Sequence, residues 1–98
     1  MPSVSGQLRP VKPGVLEFVF NGLGPLIVRL DQPLFGIEEV PVTLEFDSTD
    51  QLHSKHEVKG KVEGTALTLD FGNGVKIEGN LNIHEEHQPV WGFGNWIA

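Results

Sequence analysis

Four histidines fall in two pairs of identical spacing, His53-x-x-His56 and His84-Glu-Glu-His87. Neutral imidazoles are common ligands for zinc and other transition metals, and Glu85 and Glu86 add carboxylates to the second pair. Residues three apart share a face on a helical turn but point to opposite sides of a strand. Both pairs lie in or beside segments that read as strands. His53, His56, His84 and His87 are therefore weak metal candidates, expected on the surface at strand ends. The second pair also departs from the zinc-protease pattern, in which the histidines stand four apart on a helix. A pH response is the other chemistry open to them, because unperturbed imidazoles titrate near pH 6.5. Nothing in the sequence places them in an interface.

The remaining reactive types are scattered. Glu38-Glu39 and Glu85-Glu86 are adjacent pairs, and neighbouring side chains diverge in extended chain, so neither pair can flank one substrate bond. Ser3, Ser5, Ser48 and Ser54 lack the strand-turn-helix setting of a nucleophilic serine. Gly72-Asn-Gly74 has no downstream Lys-Ser/Thr and reads as a hairpin turn rather than a phosphate loop. There is no cysteine, which removes disulfides, thiolate metal sites and thiol nucleophiles. No enzyme signature and no cofactor motif emerge.

The elements that would position any site are strands. Period-two alternation runs through Gly14–Phe20, with Leu16, Phe18 and Phe20 on one face, and resumes over Pro25–Leu30 after the turn Asn21-Gly-Leu-Gly. Val40–Phe46 aligns Val40, Val42, Leu44 and Phe46, with Pro41 at the strand start or on an edge. Ser48 and Gln51 have the spacing of a capping box and allow one helical turn. Strands are then expected over Glu57–Glu63, Thr65–Phe71 and Val75–His84, joined by turns at Glu63-Gly64 and Gly72-Asn-Gly74 into a three-stranded meander. Gly60 and Gly79 would mark bends.

Six such strands with no amphipathic helix to cover them hide an apolar face by curling. The expectation is a single all-β domain over residues 1–98, a small antiparallel barrel or strongly bent meander of about six to eight strands, with a two-sheet sandwich as the other arrangement. Eight strands require both Gln7–Lys12 and the C-terminal segment. That segment, residues 89–98, holds both tryptophans and has two readings. As a closing strand it would place Trp91 and Phe93 together on the face that plugs the barrel end, with Gly92 and Gly94 packing closely on the other. As an exposed aromatic tail it would offer Trp91, Phe93 and Trp96 as anchors for a partner.

Seven basic residues against thirteen acidic ones give a net charge of −6 with no Lys or Arg cluster in sequence, which disfavours nucleic acid and anionic membrane. No stretch has the length of a membrane span, and the N-terminal residues lack a basic segment followed by an apolar run, so a cytoplasmic location is expected. The function expected is a non-catalytic protein-binding module, an inhibitor or assembly subunit, with a β-edge and the aromatic C-terminal tail as its contact surface. The alternatives are a barrel enclosing an apolar small molecule, lined by Trp91, Phe93, Phe18 and Phe71, and a structural homo-oligomer subunit.

Overall fold

The structure is a computed structural model that describes residues 2–97. Its strands are β1 (Ser3–Lys12), β2 (Val15–Phe20), β3 (Leu26–Leu30), β4 (Val40–Glu45), β5 (Lys55–Asp70) and β6 (Lys76–Trp96), with one 3-10 turn at Thr49–Gln51. They form one antiparallel sheet in the order β3-β2-β1-β4-β6-β5, and an additional β3–β6 pairing closes it. The fold is thus all-β: a small barrel of β1, β2, β3, β6 and β4, with β5 laid against β6. The Ser48–Gln51 capping box forms as expected, each side chain accepting from the other's end of the turn.

Two expectations are corrected. Glu63-Gly64 does not reverse the chain, because β5 runs unbroken from Lys55 to Asp70. Gly64 has a φ of 62°, and register shifts flank its pairing with Glu85. A glycine in the left-handed region here makes a bulge that bends the strand. The strand expected at Val75–His84 and the C-terminal segment are likewise one element, β6, 21 residues long; Ala98 lies outside the described residues. The expected meander is therefore one long hairpin turning at Gly72-Asn-Gly74, where the Phe71 amide donates to the Val75 carbonyl at 3.0 Å.

That hairpin is folded over. All five pairings around the ring are antiparallel, and an odd ring of straight antiparallel strands cannot close. One member must reverse its direction, and β6 is the strand that does. Its first part (76–79) pairs with β4, and its last part (92–96) pairs with β3. β5 follows on the inside of the bend with 16 residues against 21 on the outside. Its two halves come so close that a Cβ on Gly60 would stand 1.9 Å from the Thr68 carbonyl oxygen.

One core fills the ring. The row Leu8–Phe18–Leu26–Trp96, read across four paired strands, is buried throughout, as is the row Leu69–Ile77–Leu44. Each such side chain contributes roughly 1.5–3 kcal/mol by leaving water. The loop between β3 and β4 closes one end with Leu34 and Ile37. It is held by Asn82, whose amide nitrogen donates to the Gly36 carbonyl at 2.7 Å and whose oxygen accepts from the Glu38 amide at 2.8 Å. The 3-10 turn and the β2–β3 turn close the other end, where Leu23 and Leu52 pack partly buried on the core.

Candidate functional site

Strand parity decides where the C-terminal aromatics go. Gly92 and Gly94 face the interior because nothing larger fits: a Cβ on Gly92 would lie 1.9 Å from the Arg29 carbonyl oxygen and 2.8 Å from the Leu30 Cα. Their neighbours are therefore forced outward, and Trp91 and Phe93 are 47% and 46% exposed. The segment is the closing strand, paired with β3, but the two rings expected to plug the barrel point outward. The free-tail reading is corrected too, since the segment is hydrogen-bonded on both edges, to β3 and to β5. Trp96 has the opposite parity. It is 8% exposed, with its ring 6.1 Å from that of Phe20. The three expected anchors are thus split, two outside and one in the core.

Trp91 is fixed at the backbone, donating to Gln32 Oε1 at 2.9 Å and accepting from the Asp31 amide at 2.8 Å. Across the ladder it faces Lys59, while Phe93 lies between Arg29 and Glu57. The Lys55 ammonium sits 4.6 Å from the centre of the Phe93 ring, an attraction of cation to π-face. Ile27 and Ile97 extend the apolar strip, and a shallow groove of about 270 Å³ runs between Ile27, Arg29, Lys55, Phe93, Asn95 and Ile97.

The strip is cationic on an acidic protein. Arg29, Lys55, Lys59 and Lys61 occupy outward positions of β3 and β5. Lys59 has Glu57 at 3.7 Å and Lys61 has Glu63 at 3.1 Å, whereas no carboxylate among the described residues pairs with Arg29 or Lys55. Glu63 also has His87 at 3.6 Å. The hydrogen bond and charge of Lys61, with a smaller contribution from His87, hold its carboxyl below the ordinary glutamate value. The alternating Lys and Glu along β5 protect its free edge from pairing with another chain.

The histidines do not converge with this strip. The His56 ring contacts the His53 carbonyl oxygen at 2.8 Å, and the His53 ring contacts the Ser54 hydroxyl at 2.9 Å. His84 and His87 lie on β6. Among the described residues no three His, Cys, Asp or Glu side chains gather in a cluster that could hold an ion. Glu38 and Glu39 sit in the exposed loop before β4, with Glu39 3.7 Å from Arg9. Phe18 and Phe71 are buried in the packed core, away from the outward Trp91 and Phe93.

Sequence reasoning missed Arg29, Lys55 and Lys59, because they meet the aromatics only through the β3–β6–β5 register. The alternation Lys55-x-Glu57-x-Lys59-x-Lys61 was the available signal. Set against known proteins, the chain matches no family model, no curated protein and no solved structure at a significant level, and the functional reading rests on this surface alone.

Proposed function

We propose that the chain is a non-catalytic protein-binding module, acting as an inhibitor or an assembly subunit, whose contact surface is the outer face of β3, β6 and the first half of β5. The observation that carries this reading is the outward pair Trp91 and Phe93 on a strand paired along both edges. Rings two residues apart on one strand face stand about 7 Å from each other. Held this way they lose little freedom on binding, which is how rigid anchors gain affinity. A standard contact of about 800 Å² per partner would cover about a seventh of the 5,367 Å² surface.

Arg29 and Lys55 favour a partner that surrounds an apolar pocket with carboxylates. A polyanionic nucleic acid fits less well, since Lys59 is already paired with Glu57, Lys55 is engaged by Phe93 and the chain carries −6 overall. One observation favours a second copy as partner. The outer face of β4 and the distal hairpin carries Glu45, Asp70 and Glu78 around a single Lys76, complementary in charge to the strip, and a head-to-tail contact of that kind builds rings or filaments. The proposal takes the cytoplasm as the compartment, which fractionation tests.

The experiment compares wild type, Trp91→Ser/Phe93→Ser and the control Thr43→Ser/Thr68→Ser in affinity capture from native cell extract and in light scattering. The expected result is one stoichiometric partner, or a discrete self-assembly, kept by wild type and control and lost by the aromatic double variant. The same behaviour from all three proteins contradicts the reading.

A further inference from the structure

The cationic strip has a counterpart on the same chain. Read across β1, β4, β6 and β5, the outward residues Ser5, Thr43, Glu78 and Thr68 form one row of cross-strand pairs. Three of the four are short, as is the outward Ala66 near them on β5, and short side chains leave the outer face of a sheet hollow between longer ones. The result is a groove of about 550 Å³. Pro41 and Ala66 are its exposed apolar residues, Glu45 and Glu78 are its charged ones, and no Lys or Arg lines it.

Both carboxylates are without a cation partner among the described residues, just as Arg29 and Lys55 are without a carboxylate. An apolar hollow flanked by free carboxylates is the chemistry that the strip selects. The dimensions agree as well. The row crosses three strand spacings, about 14 Å, and the Trp91 and Phe93 rings stand about 7 Å apart. Neither surface has to order itself on contact, since each is carried by strands hydrogen-bonded within the sheet.

We infer that the partner of the strip is a second copy of this chain, an assignment that rests on the strip's being a contact surface at all. Trp91 and Phe93 of one molecule enter the groove of the next, where Arg29 and Lys55 meet Glu45 and Glu78. A net charge of −6 repels two copies in general, and so disfavours orientations that do not set cations on carboxylates. Strip and groove are different parts of one closed sheet, towards the two ends of β6, so the contact is head-to-tail. Each chain offers its strip to one neighbour and its groove to another, which builds a ring or a filament.

Two variants, each with one surface removed, test it by light-scattering mass over a dilution series. Trp91→Ser/Phe93→Ser lacks the strip and keeps the groove; Glu45→Lys/Glu78→Lys lacks the groove and keeps the strip. The thermal transition of each verifies its fold, and the second changes only side chains outside the core, so it tests the contact even where the first is destabilised. Wild type should exceed the single-chain mass of 10.8 kDa, as should Thr43→Ser/Thr68→Ser, which keeps the groove's hydroxyls and charges. Each surface variant alone should have the mass of one chain. Their equimolar mixture should reach the mass of two chains and stop, because the intact strip of one finds the intact groove of the other and both ends are then capped. A wild type of single-chain mass at every concentration, a groove variant that assembles as wild type does, or a mixture that stays at one chain or grows past two would each overturn the inference. Capture of a different protein by a single-chain wild type, lost with Trp91→Ser/Phe93→Ser, would overturn it while leaving the strip a contact surface. Assembly and capture both unchanged in that variant would overturn the two together.

Discussion

The folded hairpin offers two outer faces built on the same plan. In the distal half, Ala66, Thr68 and Asp70 pair with Asn80, Glu78 and Lys76, giving a short-chained, mostly acidic surface. In the proximal half, Lys55, Glu57 and Lys59 pair with Asn95, Phe93 and Trp91, giving a cationic and aromatic one. The inward residues do the same job in both, since Val58 and Val62 are as buried as Leu67 and Leu69. The fold therefore constrains one face of each strand and leaves the other free, so the large rings on the proximal outer face are not explained by core packing. A half-exposed Trp beside a half-exposed Phe loses apolar hydration only when something covers them.

The sharpest way to break the comparison is to remove the proximal half of β6. Truncation before Pro89 should abolish the cooperative unfolding transition seen by circular dichroism, because it deletes the segment that closes the ring, leaving β3 paired only with β2 and the first half of β5 without its partner. A folded truncated chain would show that the barrel does not depend on the β3–β6 closure.

A smaller break is Gly92→Ala. The added methyl would meet backbone on β3, which has no side chain to move aside, and should cost about 3 kcal/mol in urea unfolding. Gly94→Ala should cost less, since its Cβ would meet the ends of Phe71, Val58 and Leu26 side chains. Equal losses would mean that the two strands separate as readily as side chains repack.

Smaller still in stability is Trp91→Ser/Phe93→Ser. Loss of two aromatics from a half-exposed strand face should cost about 1–2 kcal/mol while removing the contact surface. The reverse pattern, severe unfolding with capture retained, would make the rings structural.

The least effect is electrostatic. Glu63 titrates below the ordinary glutamate value because Lys61 and, less strongly, His87 hold its charged form. Its contribution to stability is complete above the unfolded carboxyl value and disappears as pH falls through the lowered one. The group is exposed, so the visible effect is on its own titration: Lys61→Met should raise the Glu63 value in carbon-detected NMR, and His87→Gln should raise it less.

These cases show what the residue order carries and what it omits. Alternation located β2, β3 and β4 and the inward Leu, Val and Phe of the hairpin, because one-sided burial imprints a period of two. β1 left a fainter trace, since only Leu8 along it is fully buried. The Glu63-Gly64 pair read as a turn because the same glycine serves a reversal or a bulge; the choice depends on the extra residues of β6 on the outside of the bend, which is a long-range property. The C-terminal segment was recognisable as unusual, but its parity was not, because alternating aromatics and glycines suit either face until the closeness of β3 at Gly92 excludes one. The cations of the strip could not be assigned to the rings without the register that pairs residue 29 with 93 and residue 59 with 91.

The most direct test of the central claim, that the proximal outer face is the contact surface, is site-specific photo-crosslinking in the native cell. A benzophenone side chain in place of Phe93 and, in a second protein, in place of Thr68 reports the two faces of one hairpin. Position 93 should give a discrete adduct, with a single partner or with a second copy of the chain, and position 68 should not give that adduct with a different protein. An adduct with the same other protein from both positions, or no adduct from position 93 in a folded protein, would contradict the account.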